Sequence, residues 1–476
     1  MQSKQGDYLN LSQNTPILII GAGPSGIAAM YELSRHGRPV LLIEESERLG
    51  GIARTENYLG FLFDIGGHRF FTKNERIDFI WRRMLGDQFL TVNRISRIFY
   101  NGQYFNYPLK PLEVMKKFGL WESMRVVFSY LRSHVMIRKD PENLEEWMIL
   151  KFGQRLYQRF FQRYSEKVWG ISCHEIESDW ASQRIKGLSL TEIVLNFFRN
   201  IGVKSLIESF SYPVLGSQMM WKRFAEVSVT AGSKILMNCC AKTVFHDNGR
   251  IQAVSCIENE ENRLISCDFL LSSIPIPHLI NGLQPSPPPL VSEAARQLKF
   301  RAFIQVGLIV QSPNLFPDQW IYIHDPSMKV GRIQNFSNWS PAMAPDPSFS
   351  NLGMEYFCDM NDDLWNLSDD ELIQLASREF DELGLGRAEQ VADGFVVREP
   401  YAYPVYTRDY KQHIEVIRTY LRRFENLITM GRNGMHRYNN MDHAMLTGML
   451  AAENVLGEKH DLWNINEEKE YLEMKS

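Results

Sequence analysis

Residues Gly66 to Glu75 read GGHRFFTKNE, and paired glycines ahead of a histidine and an arginine are an unusual approach to a helix. Adjacent glycines let backbone come close to a partner, and a histidine titrating near neutral pH can hydrogen-bond to that partner or polarise it. A second pattern is Gly21-x-Gly23-x-x-Gly26, with Glu44 downstream. At this spacing Gly21 permits a tight turn, Gly23 lets backbone close on a pyrophosphate, and Gly26 lets a helix pack near a strand. Free N–H groups at the helix start then receive the anion. Glu44 stands where an acid would hold a ribose hydroxyl.

These residues need particular elements around them. Pro16 to Ser46 (PILIIGAGPSGIAAMYELSRHGRPVLLIEES) reads as strand, glycine turn, helix, strand: a βαβ unit of the dinucleotide-binding kind, which alone does not separate NAD from FAD. Arg48, Gly50 and Gly51 make an R-x-G-G turn directly afterwards, a second close approach of backbone.

The whole chain has room for more than this unit. Its 476 residues predict two or three subdomains, and 44% hydrophobic content with 28 Phe, 19 Tyr and 10 Trp supplies a large core. A formal charge of −4 lacks the overall basic footprint of a nucleic-acid binder. Six cysteines show neither a paired framework nor metal-type spacing, which predicts reduced thiols and a cytoplasmic protein. The first residues, MQSKQGDYLNLSQNT, read as a short lead without a signal-peptide core. No stretch reaches the roughly 18 apolar residues of a membrane span. Tyr104 to Ile137 mixes aromatics, Met and Lys/Arg, a pattern that suits an interfacial membrane helix; the preferred reading is an amphipathic helix laid on a core.

Downstream, Gly232 to Val254 reads as strands around an Asn-Gly turn, and Cys267 to Pro277 as a buried strand meeting prolines. Pro108 to Asn200 is mostly helical in pattern. Phe300 to Val397 alternates strand-like runs with one helix opened by a Ser368/Glu371 capping box. Asn426 to Leu456 gives a strand, Gly431-Arg432, a loop and a final helix. The expected fold is α/β: a Rossmann-like (GR2-type) dinucleotide-binding domain with a helical insertion and an antiparallel-sheet substrate domain. The expected divisions are 14–100, 228–284 and 425–460 for the first, 101–205 for the second, and 206–227 with 285–424 for the third.

The βαβ unit followed by R-x-G-G resembles the flavoprotein superfamily of amine oxidases, protoporphyrinogen oxidases and UDP-galactopyranose mutases. Four further blocks resemble the UDP-galactopyranose mutase branch: GGHRFFTKNERI, GQRLYQRFFQRYSEKVWG (Gly153 to Gly170), EPYAYPVYT, and GRNGMHRYNNMD. The resemblance implies an enzyme with FAD as cofactor, and a last helix whose N-terminus points at the flavin ring. It implies FAD contacts from Gly21, Gly23, Gly26, Glu44, Arg48, Gly50, Gly51, Gly66, Gly67, Gly431, Arg432 and Met441, with Arg432 on the pyrophosphate. His68, Arg332 and Tyr438 become catalytic, His68 near the flavin N5 edge and Arg332 between flavin and substrate diphosphate. Trp169, Arg184, Tyr403 and Asn440 become substrate contacts, with Trp169 lining the cleft.

Two departures matter. Leu188 stands near the place of a second diphosphate-binding arginine, and Asn440 replaces the branch's aspartate. A charge-assisted contact is worth about 1.5 to 3 kcal/mol, so the expected substrate is a nucleotide-linked or lipid-linked sugar, or a related glycan, other than UDP-galactopyranose. Two further readings stand beside this one. One is an oxidoreductase passing hydride from substrate to flavin; the other is a non-catalytic binding protein resembling Rab GDP-dissociation inhibitors, which the complete glycine set disfavours. An external reductant such as NAD(P)H and peripheral membrane contact are compatible partners.

Overall fold

The computed structural model describes residues 9–10, 15–109, 111–136, 140–178 and 209–465. Its first sheet is built from widely separated pieces of chain. Strands Lys234–Leu236, Leu41–Ile43, Thr15–Ile20 and Glu261–Ser272 lie side by side, all parallel, and Leu427–Thr429 pairs with the far edge of the last. The central runs Ile17–Ile20 and Leu270–Ser272 are buried on both faces, as a parallel sheet requires, and Lys234–Leu236 forms a half-buried edge. Glu261–Ser272 serves two layers at once. Its first half pairs antiparallel with Arg250–Glu258, which turns at Asn248-Gly249 onto Cys239–Asp247.

Helix Pro24–Arg35 follows the first strand and packs against Met441–Val455. Close contact is possible because the Gly448 position holds no side chain: a Cβ there would stand 2.0 Å from the Ser25 carbonyl oxygen. The GGHR block lies between strand Phe61–Asp64 and helix Glu75–Leu85, whose N-terminus Asn74 caps by accepting the Ile77 N–H at 3.2 Å.

The second sheet has seven strands, in the order Val391–Pro404, Phe300–Val310, Ser350–Cys358, Arg332–Asn335, Trp320–Ile323, Ser96–Tyr100, Gln103–Asn106. All neighbours are antiparallel except Trp320–Ile323 with Ser96–Tyr100, which run parallel. Helix Asp369–Glu382 covers this sheet and opens with the Ser368/Glu371 capping box expected from the sequence.

The expected subdomain divisions differ from the pairings in two places. The Ser96–Asn106 hairpin, split by the expected boundary at residue 100, belongs wholly to the second sheet through its register with Trp320–Ile323. Helix Gln218–Thr230, given to the substrate domain as far as residue 227, instead buries Trp221 and Phe224 against the nucleotide-binding core, with Phe224 edge-on to Tyr31 at 4.8 Å. Strand pairing decides the first case and apolar packing the second, and neither is visible from local spacing.

A helical layer runs from Pro111–Phe118 and Leu120–Met136 to Leu144–Phe152 and Gln162–Trp169. The preferred reading of the 104–137 segment holds for one face only. Val126 and Tyr130 point into the core, yet Trp121 and Phe128 stand 78% and 68% exposed. Among the described residues no helix is long and apolar enough to cross a membrane, and the six cysteines are free thiols.

Candidate functional site

One cleft of about 730 Å³ runs from the glycine turn of the first sheet to the face of the second. At its nucleotide end, Gly21 adopts φ +97°, and a Cβ there would lie 2.3 Å from Ser273 Oγ. A Cβ at Gly26 would stand 1.9 Å from the Gly21 carbonyl oxygen. Gly23 differs. Its φ is −70°, and a Cβ would meet no protein atom within 4 Å, so the space beside it belongs to the cleft. Glu44 ends its strand with one carboxylate oxygen accepting the Ala22 N–H at 2.7 Å and the other accepting the Ser46 N–H and hydroxyl at 3.0 and 2.9 Å. The acid is thereby fixed at the cleft wall, beside the turn.

Gly51 lines the cleft with Arg48, whose guanidinium meets Glu56 at 2.9 Å. Arg54, three residues further on, also lines it and is ion-paired to Glu399 and Glu56. Gly50 and Gly431 have packing roles: a Cβ at the first would press on Trp221 at 2.8 Å, and at the second on Ser25 Oγ at 2.3 Å.

The middle of the cleft is the GGHR turn. Gly66, at φ +88°, donates its N–H to Gln305 Oε1 at 2.7 Å, and Gln305 in turn donates to the Asp64 carbonyl. Asp64 itself is fully buried beneath the turn, accepting from Thr55, Tyr212 and the Ser217 N–H; burial pushes its pKa up to about 6 despite those bonds. The His68 ring faces the cleft, with Nε2 held to the Ile65 carbonyl at 2.7 Å. Burial draws its pKa down to about 4, and Arg432 and Arg332 add to the effect, so the imidazole is neutral at pH 7.

Arg432 is held by carbonyls and rings. It donates to Asn439 O at 2.9 and 2.8 Å and to Ala402 O at 3.2 Å, with Tyr438 and Tyr403 ring centroids 4.7 and 5.7 Å away. Among the described residues no carboxylate pairs with it. Three of the five guanidinium N–H groups are thus given to backbone carbonyls, and the charge lies close enough to His68 to help lower its pKa. Tyr403 and Tyr438 stack at 5.7 Å and 14°, both at the cleft wall. Trp169 does not line the cleft as expected. It is buried behind the two tyrosines, edge-on to each at about 6 Å, because helix Gln162–Trp169 ends under them.

The far wall comes from the second sheet. Arg332 forms a two-pronged ion pair with Glu355, Nε to Oε2 at 2.8 Å and Nη2 to Oε1 at 2.9 Å, and Gln334 also donates to that carboxylate. Burial pulls the guanidinium pKa down, but Glu355 together with Tyr403, Tyr164 and Tyr322 outweighs it and keeps Arg332 charged. Trp320, Tyr322 and Trp339 add aromatic faces, and Arg69 lies 5.5 Å over the Trp320 ring. Asn440 and Met441, at the start of the Met441–Val455 helix, close the cleft from the nucleotide side with Asp442. Arg184 and Leu188 lie outside the described residues.

Sequence spacing missed Arg54, Arg69, Trp320, Tyr322, Trp339, Gln305 and Glu355. Arg69 adjoins His68, and the alternation of QWIYIH puts Trp320 and Tyr322 on one face, so those three had a readable signal. Glu355 had none within its own segment.

The profile of the flavin-containing amine oxidoreductase family matches residues 24–456. The chain belongs to that family. Its cofactor is FAD, and the residues fit the group: Gly23 keeps its side of the cleft clear of protein, Glu44 is fixed beside it, and an arginine without a carboxylate partner among the described residues faces the middle. A probable UDP-galactopyranose mutase of Klebsiella pneumoniae is 27% identical over 171 residues, 34% of this chain and 43% of that protein. An L-amino-acid oxidase of Sistrurus catenatus edwardsii is 29% identical over 153 residues, 28% of this chain and 30% of the oxidase. These alignments thus span less than half of each relative. Among solved structures, a reduced UDP-galactopyranose mutase superposes with TM-score 0.82 at 21% identity, covering 96% of this chain and 98% of that one. A putative protoporphyrinogen oxidase from Exiguobacterium sp. 255-15 gives 0.71 at 18% identity, covering 94% and 99%. At such identities the superpositions show the fold.

Proposed function

We propose that this FAD-dependent enzyme acts on a phosphate-bearing sugar, nucleotide-linked or lipid-linked, or on a related glycan, and that UDP-galactopyranose itself is not its substrate. The observation that carries the reading is the far wall of the cleft, where Arg332 and Arg69 stand among the faces of Trp320, Tyr322 and Trp339. Guanidinium groups recognise phosphate oxygens, and aromatic faces take the apolar side of a sugar or base. When bound, FAD supplies a ring nitrogen able to act as nucleophile or as hydride acceptor.

The chain's own residues supply the rest. Neutral His68 holds its Nε2 proton on the Ile65 carbonyl, so it orients the ring edge without adding a charge there. Arg432 brings the charge instead, fixed between backbone carbonyls and two tyrosine faces, where it favours negative charge in the middle of the cleft. Burial raises the Tyr403 pKa, which keeps its hydroxyl protonated and able to donate to a phosphate oxygen. Asn440 at the helix start offers an uncharged amide where the related branch has a carboxylate, easing the approach of an anion. Trp169 acts from behind, holding Tyr403 and Tyr438 in their stack.

One observation favours a second reading. Because Glu355 neutralises Arg332, the far wall carries less net positive charge than its arginines suggest, which suits an uncharged substrate whose hydride passes to the flavin. Titrating the FAD-loaded enzyme with UDP, GDP and dTDP while following the flavin absorbance separates the two. The first reading expects a saturable spectral change from at least one nucleotide, weakened by Arg332→Lys. No change with any of them contradicts a nucleotide-linked substrate.

A further inference from the structure

The helices Pro111–Phe118 and Leu120–Met136 carry an apolar face that no part of the catalytic cleft explains. Of the fifteen large hydrophobic side chains standing exposed among the described residues, eight lie within the twenty positions from 112 to 131, so the patch is concentrated and not scattered. Leu120, Trp121, Met124, Val127, Phe128 and Leu131 form the outer face of the longer helix, at 45 to 78% exposure. Leu112 and Met115 extend it onto the shorter one. The inner face is already used: Val126 and Tyr130 are buried in the helical layer, and Phe118 packs on Phe160 at 5.4 Å.

Charge says what the outer face meets. The exposed charged residues between 112 and 132 are all basic: Lys116, Lys117, Arg125 and Arg132. Of these, Lys117 is turned back onto Glu113 at 2.8 Å and the Phe105 ring, while Glu122 bonds Arg155 at 2.8 Å and Arg159 at 3.2 Å and lies 3.8 Å from Arg125, so the outward cations are Lys116, Arg125 and Arg132. A tryptophan and a phenylalanine rimmed by cations fit the boundary of an anionic bilayer, where the rings enter the headgroup region and the cations meet lipid phosphates. A second copy of the chain fits less well, because an isologous contact would bring the same cations against one another.

We propose that this helix pair docks the protein on the surface of a membrane containing anionic lipid, without crossing it. Docking of this kind is independent of which substrate the cleft takes.

Co-sedimentation of the FAD-loaded full chain with vesicles tests it, using phosphatidylcholine alone and phosphatidylcholine mixed with phosphatidylglycerol. Wild type should partition onto the anionic vesicles and be released progressively by salt. Trp121→Ser with Phe128→Ser should lower the partition coefficient roughly tenfold or more, given the apolar area withdrawn. Lys116→Glu with Arg125→Gln should do so for anionic vesicles in particular. Both pairs are solvent-facing, so flavin content and thermal midpoint should stay at wild-type values. The proposal is overturned if wild type does not bind the anionic vesicles, or if both variants bind as well as wild type. It is equally overturned if the apolar variant only converts a dimer to a monomer in light scattering while vesicle binding is unchanged.

Discussion

Arg332 and Glu355 sit directly opposite each other on neighbouring antiparallel strands, and the register of Arg332–Asn335 against Ser350–Cys358 makes their bidentate ion pair. Glu355 is fully buried, so the pair is a fixed part of the cleft wall and its two members stand or fall together. Arg332→Ala leaves a buried carboxylate without its cation and should destabilise the protein by about 3 to 5 kcal/mol. Adding Glu355→Gln to that variant should recover a substantial part of the loss, which urea unfolding of the single and double variants measures. Equal stability of Arg332→Ala and wild type would show that the pair contributes little.

The glycines of the nucleotide turn predict two separable failures. Gly23→Ala should fold, since its backbone is ordinary and no protein atom lies within 4 Å of an added Cβ, and Gly23→Val should purify without FAD because its side chain enters the cleft. Gly26→Val should fail to fold, since even the first carbon collides with the Gly21 carbonyl. Flavin absorbance and circular dichroism of these variants give the comparison; a Gly23→Val protein with full flavin content contradicts the cradle.

His68→Ala should retain FAD, whose phosphate and ribose contacts lie elsewhere, and should shift the flavin absorbance or reduction potential. Because the ring's pKa lies near 4, wild type and variant should differ by a constant amount between about pH 5.5 and 8. A difference that titrates near pH 6.5 would mean the ring gains a proton in that range.

A buried histidine outside the cleft gives a stability prediction. His324 bonds the Phe160 carbonyl through Nδ1 at 2.6 Å and stacks on Tyr164, and burial lowers its pKa to about 3. Between pH 6 and 5 the unfolded chain takes up a proton there and the native protein does not, so acidification favours unfolding. Replacing His324 by Gln should reduce the pH dependence of the unfolding free energy over that unit by about 1 kcal/mol. Urea midpoints at the two pH values measure it, and identical slopes would rule the contribution out.

What could be read from sequence was what local spacing encodes. Gly26 acts on the Gly21 carbonyl within the turn and Gly21 adopts the turn's positive φ, so their spacing already described the turn, and the Ser368 capping box named its helix start. Glu355 was invisible because only strand register brings it to Arg332, across more than twenty residues of chain. The boundary expected at residue 100 cut the Ser96–Asn106 hairpin for the same reason, since only its pairing with Trp320–Ile323 assigns it to a sheet. Trp169 went to the cleft in the sequence reading because its block pointed there, whereas the helix ends one layer behind, under the tyrosines. The apolar face of Leu120–Met136 was read as core-facing because an amphipathic pattern shows that a face exists and not what covers it.

The central claim is that the flavin acts on a phosphate-bearing sugar in the cleft between His68 and Arg332, and anaerobic turnover tests it most directly. The enzyme, oxidised in one series and dithionite-reduced in the other, is incubated with a panel of UDP-, GDP- and dTDP-sugars, scoring isomerised product against flavin bleaching. The account predicts that the reduced enzyme isomerises at least one member of the panel with no net change in flavin redox state, while UDP-galactopyranose is converted weakly or not at all. Bleaching of the oxidised enzyme by substrate without isomerised product, or efficient turnover of UDP-galactopyranose, would contradict it.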